Sequence, residues 1–253
     1  MDNKEKTKET VMRLNEIART VRRAATAAQS QFDDLTDQTV YNTHAKLLVY
    51  IANNVVLAPQ NRKFVIDDNN KDILRFMLYY FNNCNLAEEV SPDKGYKLHK
   101  NLLIMGGVGV GKTMLMQIFS EYLKATNNPN YFYNVSVTQM TNYFTMHNNI
   151  DRYTYNEEAG GGFEGTPINI CLNDVGVENR PFYGIDTRTI VEDFLHARNE
   201  IWTQTAVGQR KFAHLTTNLD AKELKEAFTD DFGRLVDRFK TYNVINLKGD
   251  SRR

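Results

Sequence analysis

The run Gly106-Gly107-Val108-Gly109-Val110-Gly111-Lys112-Thr113 constrains this chain more than any other feature of its sequence. It fits G-x-x-x-x-G-K-[ST] and stands between a short apolar run over 102–105 and a segment over 113–125 that carries Met114, Leu115, Ile118, Phe119 and Tyr122. A strand, a glycine loop and a helix in that order are the context in which the motif has physical meaning. Glycines let the backbone curl until successive N–H groups point at one centre, and the helix start adds its dipole. The loop from Gly106 to Met114 is therefore expected to cradle the phosphates of a nucleotide. Lys112 brings a point charge to the β- and γ-phosphates, and the Thr113 hydroxyl is placed to ligate Mg²⁺.

Hydrolysis of ATP at such a loop requires an acid at the end of a neighbouring buried strand, to hold the metal and orient the attacking water. The apolar run over 168–172 ends in Asn173-Asp174 and supplies one. Two acids are the usual pair there. Asn173 brings no charge, so Mg²⁺ is expected to be held less firmly, with Asp174 as the essential carboxylate. On this reading Asn173→Asp should raise turnover. The competing reading is that Asp174 only caps a turn before Gly176. Further on, Leu215-Thr216-Thr217-Asn218-Leu219 places polar residues at the tip of an apolar strand, where Asn218 can position water near the γ-phosphate. Arg234 and Arg238 are four apart on one side of an expected helix, suited to bracing transition-state charge from a neighbouring subunit or simply to facing solvent.

From residue 64 onward strand and helix patterns alternate, with helices expected over 73–81, 138–147, 187–203 and 221–228 and strands over 131–135 and 212–217. That alternation predicts an α/β fold with a mostly parallel sheet covered on both faces. Residues 1–60 lack strand signals. Val11, Leu14, Ala18 and Val21 repeat at helical spacing among basic residues, and a second helix is expected over 44–56, so a small helical region precedes the main domain at 61–253. These helices either pack on the domain or dock a partner. The 31 basic and 31 acidic side chains balance, so no global positive field draws the monomer to nucleic acid. The five histidines are scattered, Cys84 and Cys171 are far apart, and the polar N-terminus and lack of a membrane-length apolar run predict a cytoplasmic protein.

The ordered set GGVGVGKT, LNDVGVE, LTTNL, GRLVDRF and the closing GDSRR resembles the DnaC/IstB branch of the AAA+ ATPases over roughly residues 64–253. The resemblance implies a three-layer P-loop NTPase fold with little or no C-terminal lid, and ATP and Mg²⁺ as ligands. It assigns Asn218 as the sensor-1 residue, Arg234 and Arg238 to the arginine-finger region, and Arg253 as sensor 2. Arg198 matches a recurrent family arginine or else snorkels from its helix. The family implies a helicase loader that grips a replicative helicase through residues 1–60, binds single-stranded DNA and self-associates into a ring or spiral. Loops over 148–162 and 177–184, with Arg152, Tyr153, Tyr155, Arg180, Phe182 and Tyr183, offer basic and aromatic side chains for such DNA, or else anchor themselves to the core. A transposition-targeting ATPase and a nucleotide-gated assembly protein with weak hydrolysis are the alternatives.

Overall fold

Leu102, Leu103, Ile104 and Met105 have no polar neighbour to alternate with, and a short continuous apolar run bounded by glycines suits a strand buried on both faces. The computed structural model, which describes residues 32–160, 165–176, 181–182, 185–228, 237–249 and 251, places β1 at Asn101–Met105 with every position buried. The amphipathic segment expected over 11–21, together with Arg180, Tyr183, Arg234 and Arg253, falls outside those residues. The chain divides into two units, Met1–Leu98 with Gln117–Tyr131, and His99–Met116 with Phe132–Arg253.

In the first unit, α1 spans Gln38–Ile51 and buries His44, Leu47, Leu48 and Ile51. It begins earlier than its apolar spacing indicates because Asp37 caps it, accepting from Thr39 N at 2.6 Å and Val40 N at 3.4 Å. A wide π turn over Ala52–Val56 follows. Helix α2, Lys71–Phe81, buries Leu74, Met77, Leu78 and Phe81 at three- and four-residue steps. Polar groups in this core satisfy one another. Asn128 Nδ2 donates to Asn82 Oδ1 at 3.1 Å, and Asn82 Nδ2 to Tyr122 Oη at 2.9 Å. Tyr122 Oη lies 2.5 Å from His44 Nδ1, and His44 Nε2 lies 3.1 Å from Asp33.

The second unit holds a five-stranded sheet in the order β2-β3-β6-β1-β7, parallel at every pairing. Its remaining strands are β2 Tyr133–Ser136, β3 Ile170–Val175, β6 Ala213–Thr217 and β7 Tyr242–Asn246. A separate antiparallel pair, β4 Pro181–Phe182 and β5 Ile185–Asp186, occupies part of the stretch read from sequence as a loop. The helices are α3 Lys112–Ala125, which runs on into the first unit's residues, α4 Val137–His147, α5 Thr187–Gln204 and α6 Ala221–Ala227. The expected cap of α6 is present: Asp220 accepts from Glu223 N, and Glu223 returns to Asp220 N. Leu103, Ile170, Leu172, Phe194 and Leu215 meet in one core cluster. Strand β3 reaches further than its apolar run because the polar Asn173 and Asp174 are accommodated by a register shift against β6 between Leu172 and Val175.

Candidate nucleotide site

The loop leaves β1 at Met105 and enters α3 at Lys112, with its first and third glycines pressed by the segment after β7. A Cβ on Gly106 would meet the Leu247 carbonyl oxygen at 2.3 Å, where Leu247 N already donates to Met105 O at 2.8 Å. Gly109 has φ +85°, and a Cβ there would lie 2.4 Å from Ser251 Oγ. The segment after β7 thus runs along the loop, which brings the closing GDSRR motif to it as far as Ser251.

Lys112 is buried, yet all three protons of its ammonium have acceptors. Its Nζ donates to Gly106 O at 2.7 Å, Gly107 O at 2.8 Å and Asn218 Oδ1 at 2.5 Å. Asn218 is held there by its predecessor: Thr217 Oγ1 donates to Val175 O at 2.6 Å and accepts from Leu219 N at 3.1 Å, tying the tip of β6 to β3. Asp174 lies within the bulge of β3 with φ +65°, a left-handed backbone that aspartate tolerates better than most residues. Thr113 and Asp174 are half-buried, and among the described residues neither side chain is hydrogen-bonded to another. Asn173, by contrast, is 3% exposed and its amide is engaged by Asn134 and Thr216.

The strand order decides the architecture. The loop strand β1 and the acid strand β3 are not neighbours, since β6, carrying Asn218, lies between them, and all three are parallel with their C-terminal ends at one edge of the sheet. This is the parallel α/β arrangement expected of a phosphate-loop fold.

The other residues predicted from sequence find different surroundings. Arg238 is half-buried and its guanidinium contacts His196 Nδ1 on α5. Arg198 does not snorkel: it is 2% exposed, donates to the carbonyls of Phe212 at 2.8 Å, Lys211 at 3.2 Å and Thr154 at 3.5 Å, and burial brings its pKa down to about 10. Those carbonyls, at the start of β6 and in the 151–154 turn, replace the water it would otherwise seek. Tyr153 packs edge-on against Tyr143, with ring centres 5.2 Å apart. Tyr155 Oη donates to Glu200 at 2.6 Å, with its pKa pushed up to about 12 by burial and that carboxylate. Both tyrosines therefore anchor their loop, while Arg152 is exposed. Asn134 and Ser251 were not singled out from sequence. A lone asparagine in an edge strand carries no local signal, whereas Ser251 belongs to a motif in which the arginine drew the attention.

No family model matches the chain. It is similar to the chromosomal replication initiator protein DnaA of Nautilia profundicola, 31% identical over 162 residues that make up 64% of this chain and 32% of that protein. The chain spans about a third of the length of this curated relative. Among solved structures it is similar to AMPPCP-bound DnaA from Aquifex aeolicus, with a TM-score of 0.49 and 16% identity, covering 74% of this chain and 49% of that one. The DnaC helicase loader gives a TM-score of 0.48 and 15% identity, covering 73% and 93%.

Proposed function

We propose that this chain is an AAA+ ATPase of DNA replication, acting as a helicase loader. The observation that carries the nucleotide reading is the convergence on Lys112 Nζ of two loop carbonyls and the Asn218 amide. On binding ATP, Lys112 exchanges these neutral acceptors for phosphate oxygens, which release Asn218 to orient water. Asp174, at the end of β3, serves as the carboxylate that aligns that water. Thr113 and Asp174 offer a hydroxyl and a carboxylate oxygen, the hard donors that suit Mg²⁺, and are the residues that would hold it. When bound, Mg²⁺ neutralises charge on the β- and γ-phosphates.

Lys112→Ala tests the site. Titration with a fluorescent ATP analogue should show binding weakened by about tenfold or more, with the far-ultraviolet dichroism spectrum retained, since one charge-assisted contact is worth about 1.5–3 kcal/mol. Wild-type affinity and turnover in a folded variant would sink the assignment.

The loader reading rests on the motif order and on the similarity to DnaA and DnaC, and adds a replicative helicase and single-stranded DNA as partners. Its docking element is placed in residues 1–60, none of which belongs to the phosphate-handling motifs. Because α1 contributes core residues, the deletion that tests this ends at residue 31. The truncated protein should keep its ATP affinity and lose capture of the replicative helicase. Unchanged capture would exclude residues 1–31 as the docking element.

A further inference from the structure

The polar groups at the end of β3 form a chain of hydrogen bonds with a single direction. Asp174 N donates to Thr216 Oγ1 at 3.1 Å, and the Thr216 hydroxyl, having accepted there, gives its own proton to Asn173 Oδ1 at 3.2 Å. Asn173 Nδ2 donates to Asn134 Oδ1 at 3.2 Å, and Asn134 Nδ2 donates to the Met116 carbonyl at 3.4 Å. The chain crosses β6, β3 and β2 and ends one turn beyond Lys112, on the helix that the phosphate loop opens.

Each amide is oriented from both sides. Asn134 must turn its nitrogen to Met116 O, so its oxygen faces position 173 and requires a donor there. An aspartate at 173 would set acceptor against acceptor in a site 3% exposed, where an unsatisfied polar group is costly. Flipping Asn134 to serve that aspartate would face its oxygen with the Met116 carbonyl instead. The register agrees, since Asn173 pairs with Ser136 on β2 and the shift against β6 falls immediately around it.

We propose that Asn134 is a positioning residue of the nucleotide site: it holds the Asn173 amide within the sheet and, through Thr216, fixes the bulge that gives Asp174 its left-handed backbone. Position 173 then works as a neutral clamp across three strands, and Asp174 is the strand's one carboxylate for the reaction. Restoring an acid at 173 should accordingly lower turnover, the opposite of what the motif alone leads one to expect. The kinetic part of this inference rests on the ATPase reading; the clamp itself does not.

The experiment is a double-mutant cycle in the full chain, with Asn134→Ala, Asn173→Ala and the pair, read by thermal midpoint without nucleotide or metal and by kcat and KM for ATP. Each single change should lower the midpoint and cut kcat by about ten- to hundredfold, as loss of a supporting residue behind a metal ligand does, with KM changed by less than about threefold. The pair should be no worse than either single change. Asn134→Asp, which keeps an acceptor toward Asn173 but sets its second oxygen against the Met116 carbonyl, should recover part of the loss. Losses that multiply in the pair, or an Asn134→Asp protein as impaired as Asn134→Ala, would overturn the proposal. If the wild-type chain hydrolyses no ATP, the ATPase reading fails and the midpoints alone decide: equal drops in singles and pair uphold the clamp, and additive drops refute it.

Discussion

Among the described residues Arg198 contacts no carboxylate and is held in the interior by backbone oxygens, and its worth follows from what each of those oxygens would lose. Arg198→Met takes the guanidinium from the Lys211 carbonyl and from the Phe212 carbonyl, which Ile170 N still serves, and should destabilise the chain by roughly 1.5–3 kcal/mol. Urea denaturation should show a lower midpoint with an unchanged slope. Arg198→Lys should recover only part, because one ammonium cannot span carbonyls on both sides of a planar fork. A loss below about 1 kcal/mol for Arg198→Met would mean that water replaces the guanidinium. At this scale the sequence was legible where backbone geometry dictates residue type. Gly109 is readable as a glycine because φ +85° and the approach of Ser251 exclude a side chain. Asn134 was not legible, since its function is defined wholly by Asn173 and Met116, which are brought beside it by folding.

Strand β6 carries the site at its tip and a buried histidine near its start. His214 accepts from Leu102 N at 3.1 Å through Nδ1, stacks on Phe212 at 5.5 Å, and has its pKa pushed down to about 3 by burial and then by the positive charge of Arg198. In the folded chain it stays neutral, while in the unfolded chain it takes a proton near its ordinary value of 6.5. The unfolded state therefore binds the extra proton as pH falls. Stability from this group is full above about pH 6.5 and is lost progressively toward pH 3, at up to about 1.4 kcal/mol per pH unit. His214→Asn keeps an acceptor for Leu102 N without titrating, so its stability should fall less steeply between about pH 6.5 and 5. Parallel curves for the two proteins would show that His214 is protonated in the fold. The elements themselves follow the apolar pattern closely, as β1, α2 and α5 do. The exceptions have local causes: Asp37 starts α1 ahead of its apolar stripe, and the bulge carries β3 past its apolar run through Asn173 and Asp174.

For the whole molecule the question is whether one subunit contains everything the proposed ATP hydrolysis needs. The described part of the site brings Lys112, Asn218, Thr113 and Asp174 from a single chain, and among the described residues no arginine is hydrogen-bonded to any of them. Two arginines were read from sequence as candidates to act across a subunit boundary, and the structure describes one of them. Arg238 is bound to His196 of its own α5, so its loss should damage the subunit that carries it. Arg234 lies outside the described residues and remains the proposed finger, worth about a thousandfold or more in rate if it reaches a neighbour's phosphates. ATP turnover per subunit should then rise with protein concentration as subunits assemble. Arg234→Ala should abolish turnover while sparing ATP affinity. Mixing it with Lys112→Ala should restore part of the activity, because one kind of interface joins an intact phosphate loop to an intact Arg234. Mixing Arg238→Ala with Lys112→Ala should restore none, since the defect stays with the subunit whose phosphate loop is intact. Rescue by both mixtures would place Arg238 across the boundary too, and rescue by neither, with activity independent of concentration, would make each subunit a self-sufficient ATPase.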